Sequence, residues 1–217
     1  MWHPSMNSNM NFPSGLAFPG LAAAVIGGMV AVAVVAILFF ARQRKAARII
    51  AMLTGAGSIL YFALLFGCSL ISKQQVLARG QEKYFCEMDC HLAYSIVNVK
   101  EEPSSDNAKK YVVQLKTRFD ETTISSHRPK DVPLIPSPRE IRLIDAEGRA
   151  YTPESSAGVS LTRPLIPGES YVTELTFTVA VKAQNLKLLV RTAPGFPDQL
   201  VIGNENSLFH KKTFLAL

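Results

Sequence analysis

The chain changes its pattern of polar and apolar positions once, near Ser72, and the two halves imply different surroundings. Leu21–Phe40 (LAAAVIGGMVAVAVVAILFF) is a run of uncharged, almost wholly apolar residues, and Ile49–Ile71 (IIAMLTGAGSILYFALLFGCSLI) is a second uncharged run. As helices, each is long enough to cross the ~30 Å hydrocarbon core of a bilayer. Beyond Ser72 the pattern alternates with period two. In Tyr111–Phe119 (YVVQLKTRF) the positions Tyr111, Val113, Leu115 and Phe119 face one side, and Gln114, Lys116 and Arg118 the other. Tyr171–Val179 repeats the pattern, with Tyr171, Leu175, Phe177 and Val179 inward and Glu174, Thr176 and Thr178 outward. Both segments predict strands with one wet face.

Other segments complete an all-β reading of the second half. Leu92, Tyr94 and Ile96 give way to Val97 and Val99, a phase slip that predicts a bulge. Arg139–Thr152 predicts a hairpin turning at Ala146–Gly148, with Ile141 and Leu143 inward. Leu186–Arg191, Gln199–Ile202 and Ser207–Leu217 supply further short apolar runs between turn formers. Many short strands without a helical pattern predict an antiparallel sandwich. The expected organisation is an N-terminal tail (1–20), a first span (21–40), a basic loop (41–48), a second span (49–71), a stalk (72–83) that continues the helix toward Gly80, and a β-sandwich domain (84–217).

Charge fixes an orientation. The first 41 residues carry no Lys, Arg, Asp or Glu, all 17 acidic residues lie at or beyond Glu82, and Arg42, Arg44, Lys45 and Arg48 sit between the two apolar runs. The positive-inside rule puts that loop in the cytoplasm and both flanks outside. The tail offers no basic n-region, which argues against a signal peptide. The formal charge of +6 does not mark a nucleic-acid face, because four of those charges are in the loop and the remainder are spread among acids. Ala23, Gly27 and Ala31 form a small-residue stripe on the first span, and Ala51, Gly55, Ala63 and Gly67 partly form one on the second. The tetrapeptide Leu65–Cys68 (LFGC) resembles a bacterial lipobox, the alternative being a cysteine within a membrane helix.

The segment DAEGRAY, then LTRPLIPGESYVTELTFTV, then LKLLV resembles the immunoglobulin-like extracytoplasmic domains of unknown function classed as telomeric-repeat-binding-factor-like. The resemblance covers about Leu92 to Leu217. It implies exposure beside a membrane anchor and brings no catalytic residues.

Candidate chemistry is confined to YFCEMDCH. Cys86, Cys90 and His91 lie within six positions. A regular strand would hold the two thiols ~13 Å apart, whereas a turn brings them into bonding range. Three readings stay open: a disulfide formed in an oxidising exterior, a copper, zinc or c-type haem site with Cys86, Cys90 and His91 as ligands and Glu87, Met88 and Asp89 nearby, or unpaired thiols. The chain contains no G-x-S-x-G, P-loop or H-E-x-x-H, and TGAGS at Thr54–Ser58 lies inside an apolar run. The proline-rich Arg128–Arg139 contains P-x-x-P and reads as a rigid connection. The sequence therefore predicts a non-enzymatic accessory protein whose partners are the bilayer and a membrane protein. A redox or metal-carrying subunit is the alternative.

Overall fold

A computed structural model describes residues 7–86, 90–103, 108–124, 129, 131–137, 139–193 and 195–217. Two helices come first: α1 (Ser14–Phe40) and α2 (Arg44–Ile71), joined by a turn in which Arg42 has φ 59°. Each is longer than its apolar run. α1 begins seven residues early, through Pro19, because Ala17 and Leu21 are buried by packing that outweighs the breaker signal. Arg44, Lys45 and Arg48, expected in a loop, instead occupy the first turns of α2.

Both helices are long and apolar enough to cross a membrane, and only 6% of each apolar window is buried within the protein. A cleft of about 420 Å³ separates them, lined in part by Ala23, Gly27 and Ala31 of α1 and by Thr54, Gly57 and Ser58 of α2. The predicted α1 stripe does face α2, but across open space: a Cβ added at Gly27, Gly28, Gly55 or Gly57 would meet no atom within 4 Å.

Among the described residues ten strands follow: β1 (Gln75–Leu77), β2 (Lys83–Phe85), β3 (Leu92–Glu102), β4 (Ala108–Phe119), β5 (Arg139–Ile144), β6 (Ala150–Tyr151), β7 (Ser155–Gly158), β8 (Ser170–Ala180), β9 (Lys187–Thr192) and β10 (Thr213–Ala216). They form two five-stranded sheets, ordered β1-β10-β9-β5-β6 and β2-β3-β4-β8-β7. All pairings are antiparallel except β1 with β10. Both sheets feed one core, which includes Tyr94, Leu115 and Phe177 from the second and Leu143, Leu188 and Leu215 from the first.

The alternation holds where it is strongest. Val113, Leu115 and Phe119 of β4 and Tyr171, Leu175, Phe177 and Val179 of β8 are buried, while Gln114, Glu174 and Thr176 lie on the other face. The β3–β4 register shifts between Ile96 and Asn98, at the predicted slip. The β5–β6 hairpin turns on Gly148, whose φ of 79° suits a residue without Cβ. Two expectations fail. The stalk does not prolong α2: Ser72 is extended, and Gln75–Leu77 becomes a strand because Leu77 reaches the core. Gln199–Ile202 is a turn rather than a strand, with Val201 buried against α1.

Candidate functional site

The predicted cysteines sit where the helices meet the sheets. Cys86 follows β2 and Cys90 precedes β3, and the two are joined by a disulfide across a Cα–Cα distance of 4.1 Å. Both are buried, in a small apolar cluster with Met10, Ala17, Leu21 and Val201. The segment before α1 is woven into this junction. Ser8 bridges Tyr84 in parallel, so the tail covers the free edge of β2. Asn9 is buried; its N–H donates to the Tyr84 carbonyl (2.9 Å), its Oδ1 accepts from the Cys86 N–H (2.8 Å), and its carbonyl accepts from the Glu205 N–H (2.8 Å). Asn11 donates through Nδ2 to the Cys68 carbonyl in α2 at 2.7 Å. Gly203, at φ 74°, lets this strap pass: a Cβ there would lie 2.4 Å from that of Phe12.

His91 is placed beside the pair but turned to other work. Its Nδ1 is 2.8 Å from Thr123 Oγ1, and its ring lies against Phe119. Because the Thr123 hydroxyl gives its one proton to the Asp120 carbonyl, Nδ1 is the donor and Oγ1 the acceptor. The two sulfurs are bonded to each other, so in this arrangement Cys86 and Cys90 are not free thiolates beside the His91 imidazole. Among the described residues, no three His, Cys, Asp or Glu side chains gather as metal ligands. Glu87, Met88 and Asp89 lie outside the described residues, as do His3 and His127.

The most buried charge is one the sequence reading missed. Lys83 of β2 is fully buried, and its ammonium donates to the Val190 carbonyl (2.6 Å), the Thr213 carbonyl (2.9 Å) and the Glu205 carboxylate (2.9 Å to each oxygen). Three donors thus meet acceptors on β9, β10 and the loop before β10, tying an edge strand of one sheet to the other sheet. Burial pushes the ammonium's affinity for its proton down, and the Glu205 charge and hydrogen bond oppose that. A signal existed: Lys83 is two residues before Phe85 and so shares its inward face. Nothing in the sequence pairs it with Glu205.

A second polar cluster lies on the outer side of β2 and β4. Arg118 forks onto Glu82, with Nε 2.7 Å from Oε1 and an Nη 2.6 Å from Oε2, and also donates to Asp120 at 2.9 Å. The Tyr84 hydroxyl donates to Asp120 at 2.7 Å and accepts from Arg118. Burial works against the Asp120 anion, but hydrogen bonds from Tyr84, Thr122 and Arg118 outweigh it and hold the carboxyl well below its ordinary range. The Arg118 hydrogen bond likewise lowers Glu82. Burial, then the two carboxylates, push the Tyr84 phenol far up. These charges are spent on one another.

The Pro-rich connection is anchored by Leu134, which exchanges two backbone hydrogen bonds with Leu165 (2.7 and 2.9 Å); residues 125–128, 130 and 138 lie outside the described residues. Cys68 lies inside α2, three residues before its end. Compared with protein-family models, curated proteins and solved structures, the chain matches none. Its geometry and its sequence carry the functional reading.

Proposed function

We propose that the chain is a two-span protein of the cytoplasmic membrane, with the Ala41–Gln43 turn inside and a β-sandwich of immunoglobulin-like type in the periplasm or extracellular space. In this reading it is a non-enzymatic accessory protein, contributing its outer domain to a larger membrane complex. The observation that carries the reading is the helical hairpin's bare apolar surface. Ile26, Met29, Val32, Ile37, Met52, Leu53 and Ile59 are all exposed, and a surface of that size and composition needs lipid or protein against it. Basic residues at the α1–α2 turn supply the orientation. The internally neutralised clusters around Lys83 and Arg118 support binding rather than catalysis.

The test has two readouts. The protein should stay in the membrane pellet through alkaline carbonate washing, and cross-linking before mild detergent extraction should retain a second membrane protein in stoichiometric yield. Release by carbonate would refute the anchor. Recovery of this chain alone after cross-linking would refute the accessory role.

A further inference from the structure

Two loops of the β-rich domain run down beside α2 instead of staying above it. Lys211 N–H donates to Ser72 Oγ at 2.8 Å, at the end of the helix. Two residues earlier, the Phe209 ring meets Phe66 at 6.0 Å between centroids. The preceding loop reaches further, since the Tyr61 hydroxyl donates to the Leu200 carbonyl at 2.6 Å. With a rise of ~1.5 Å per residue, Phe66 is about 9 Å and Tyr61 about 16 Å below Ser72 along the helix axis.

The depth of the bilayer along α2 follows from its charges. Arg48 is its last charged residue, and a ~30 Å hydrocarbon core counted from there takes about 20 residues, ending near Cys68. Phe66 then lies about 3 Å and Tyr61 about 10 Å inside the outer hydrocarbon boundary. Whatever touches them lies at the same level. The loops that do so carry the most exposed aromatic rings of the β-rich region among the described residues: Phe196 is 80% and Phe209 68% exposed, with Leu208 beside it at 49%. Phe209 also holds φ at 67°, a costly conformation for a bulky residue; its own ring rests on Phe66, and Lys211, two residues on, is tied to Ser72. Lys211 follows at the level of the helix end, where a cation meets headgroups.

We propose that the loops Gly195–Leu200 and Leu208–Phe209 enter the outer leaflet, with Phe196 and Phe209 in its interfacial zone, so that the β-rich domain is held down on the lipid surface instead of swinging on a stalk. The proposal rests on the membrane-spanning reading above. Aromatic rings favour this zone because it accepts their apolar faces beside polar headgroups.

Tryptophan depth quenching tests it. The chain has one Trp, so a Trp2→Phe background permits single reporters at Phe209→Trp, Phe196→Trp, Phe40→Trp in the hairpin and Val97→Trp on the outer sheet face. The full chain is reconstituted in phosphatidylcholine vesicles with or without lipid brominated near the carbonyl end of the acyl chains. The Phe209→Trp and Phe196→Trp reporters should lose about half or more of their emission in brominated lipid, consistent with a ring at the headgroup–acyl boundary, while the Val97→Trp reporter keeps its emission. Quenching at either loop position supports the proposal. Quenching at Phe40→Trp with none at either loop position overturns it and leaves the anchor standing. No quenching even at Phe40→Trp removes the membrane-spanning reading and this one with it.

Discussion

The hairpin and the β-rich region solve opposite problems with the same residue types. α1 and α2 put their Val, Ile, Leu and Phe outward, with 6% of each apolar window buried, and keep charge at the turn between them. The ten strands put the same residues inward and every acidic residue of the chain lies in their half or just before it. The difference teaches that the solvent, more than intrinsic propensity, decides which way an apolar side chain faces. It also locates the difficult place, the junction between the bare apolar helices and the packed sheets. There the protein uses an asparagine-rich strap, a disulfide and a buried Lys83–Glu205 pair.

The largest effect expected from breaking this contrast is at that pair. Glu205→Ala should destabilise the β-rich domain by ~3–5 kcal/mol, because it leaves the Lys83 ammonium buried without its counter-charge. Chemical denaturation of the full chain in mild detergent would measure it, and a change below ~1 kcal/mol would show that the carbonyls of Val190 and Thr213 suffice. Next comes a matched set. Phe177→Ala should cost ~3–5 kcal/mol, whereas Thr176→Ala on the outer face of the same strand and Ile37→Ala on the bare surface of α1 should both be near neutral. Equal costs at Phe177 and Ile37 would erase the distinction between the two regions.

Legibility in the sequence followed the same division. The hairpin was readable from the length of its two uncharged runs, and β4, β8, the β3 bulge and the β5–β6 turn because a core on one face and water on the other writes a clean period into the residues. β7 was not, since SSAG is exposed throughout and carries no apolar alternation. β1 was hidden because only Leu77 of its three residues is buried. The Lys83–Glu205 pair was half legible: phase places Lys83 inward, but its partner is 122 positions away. The proximity of Cys86 and Cys90 was readable from spacing, while the strap of Asn9 and Asn11 that covers them was not, because neither residue belongs to any periodic pattern.

Acid should reveal the outer cluster. Asp120 and Glu82 have folded-state pKa values held below their unfolded ones, so their contribution is present above about pH 4 and is lost as pH falls through the lowered values. Denaturation midpoints should hold down to about pH 4 and then fall, and Arg118→Met should flatten that fall. An acid limb unchanged in Arg118→Met would place the titrating groups elsewhere. The smallest effect belongs to the disulfide. Its loop is so short that removing it should cost about 2 kcal/mol or less, expressed as local loosening at the junction. Alkylation without reductant, followed by intact-mass analysis, should find Cys86 and Cys90 unmodified; modification of both would show that they are unpaired.

The central claim, that the hairpin crosses the membrane with the basic turn inside and the β-rich domain outside, is tested most directly by impermeant maleimide labelling of single added cysteines in intact cells or spheroplasts. Ser156→Cys on the exposed β7 strand should label without permeabilisation, and Arg42→Cys at the α1–α2 turn only after it. Labelling of Arg42→Cys in intact cells, or protection of Ser156→Cys until lysis, would contradict the account.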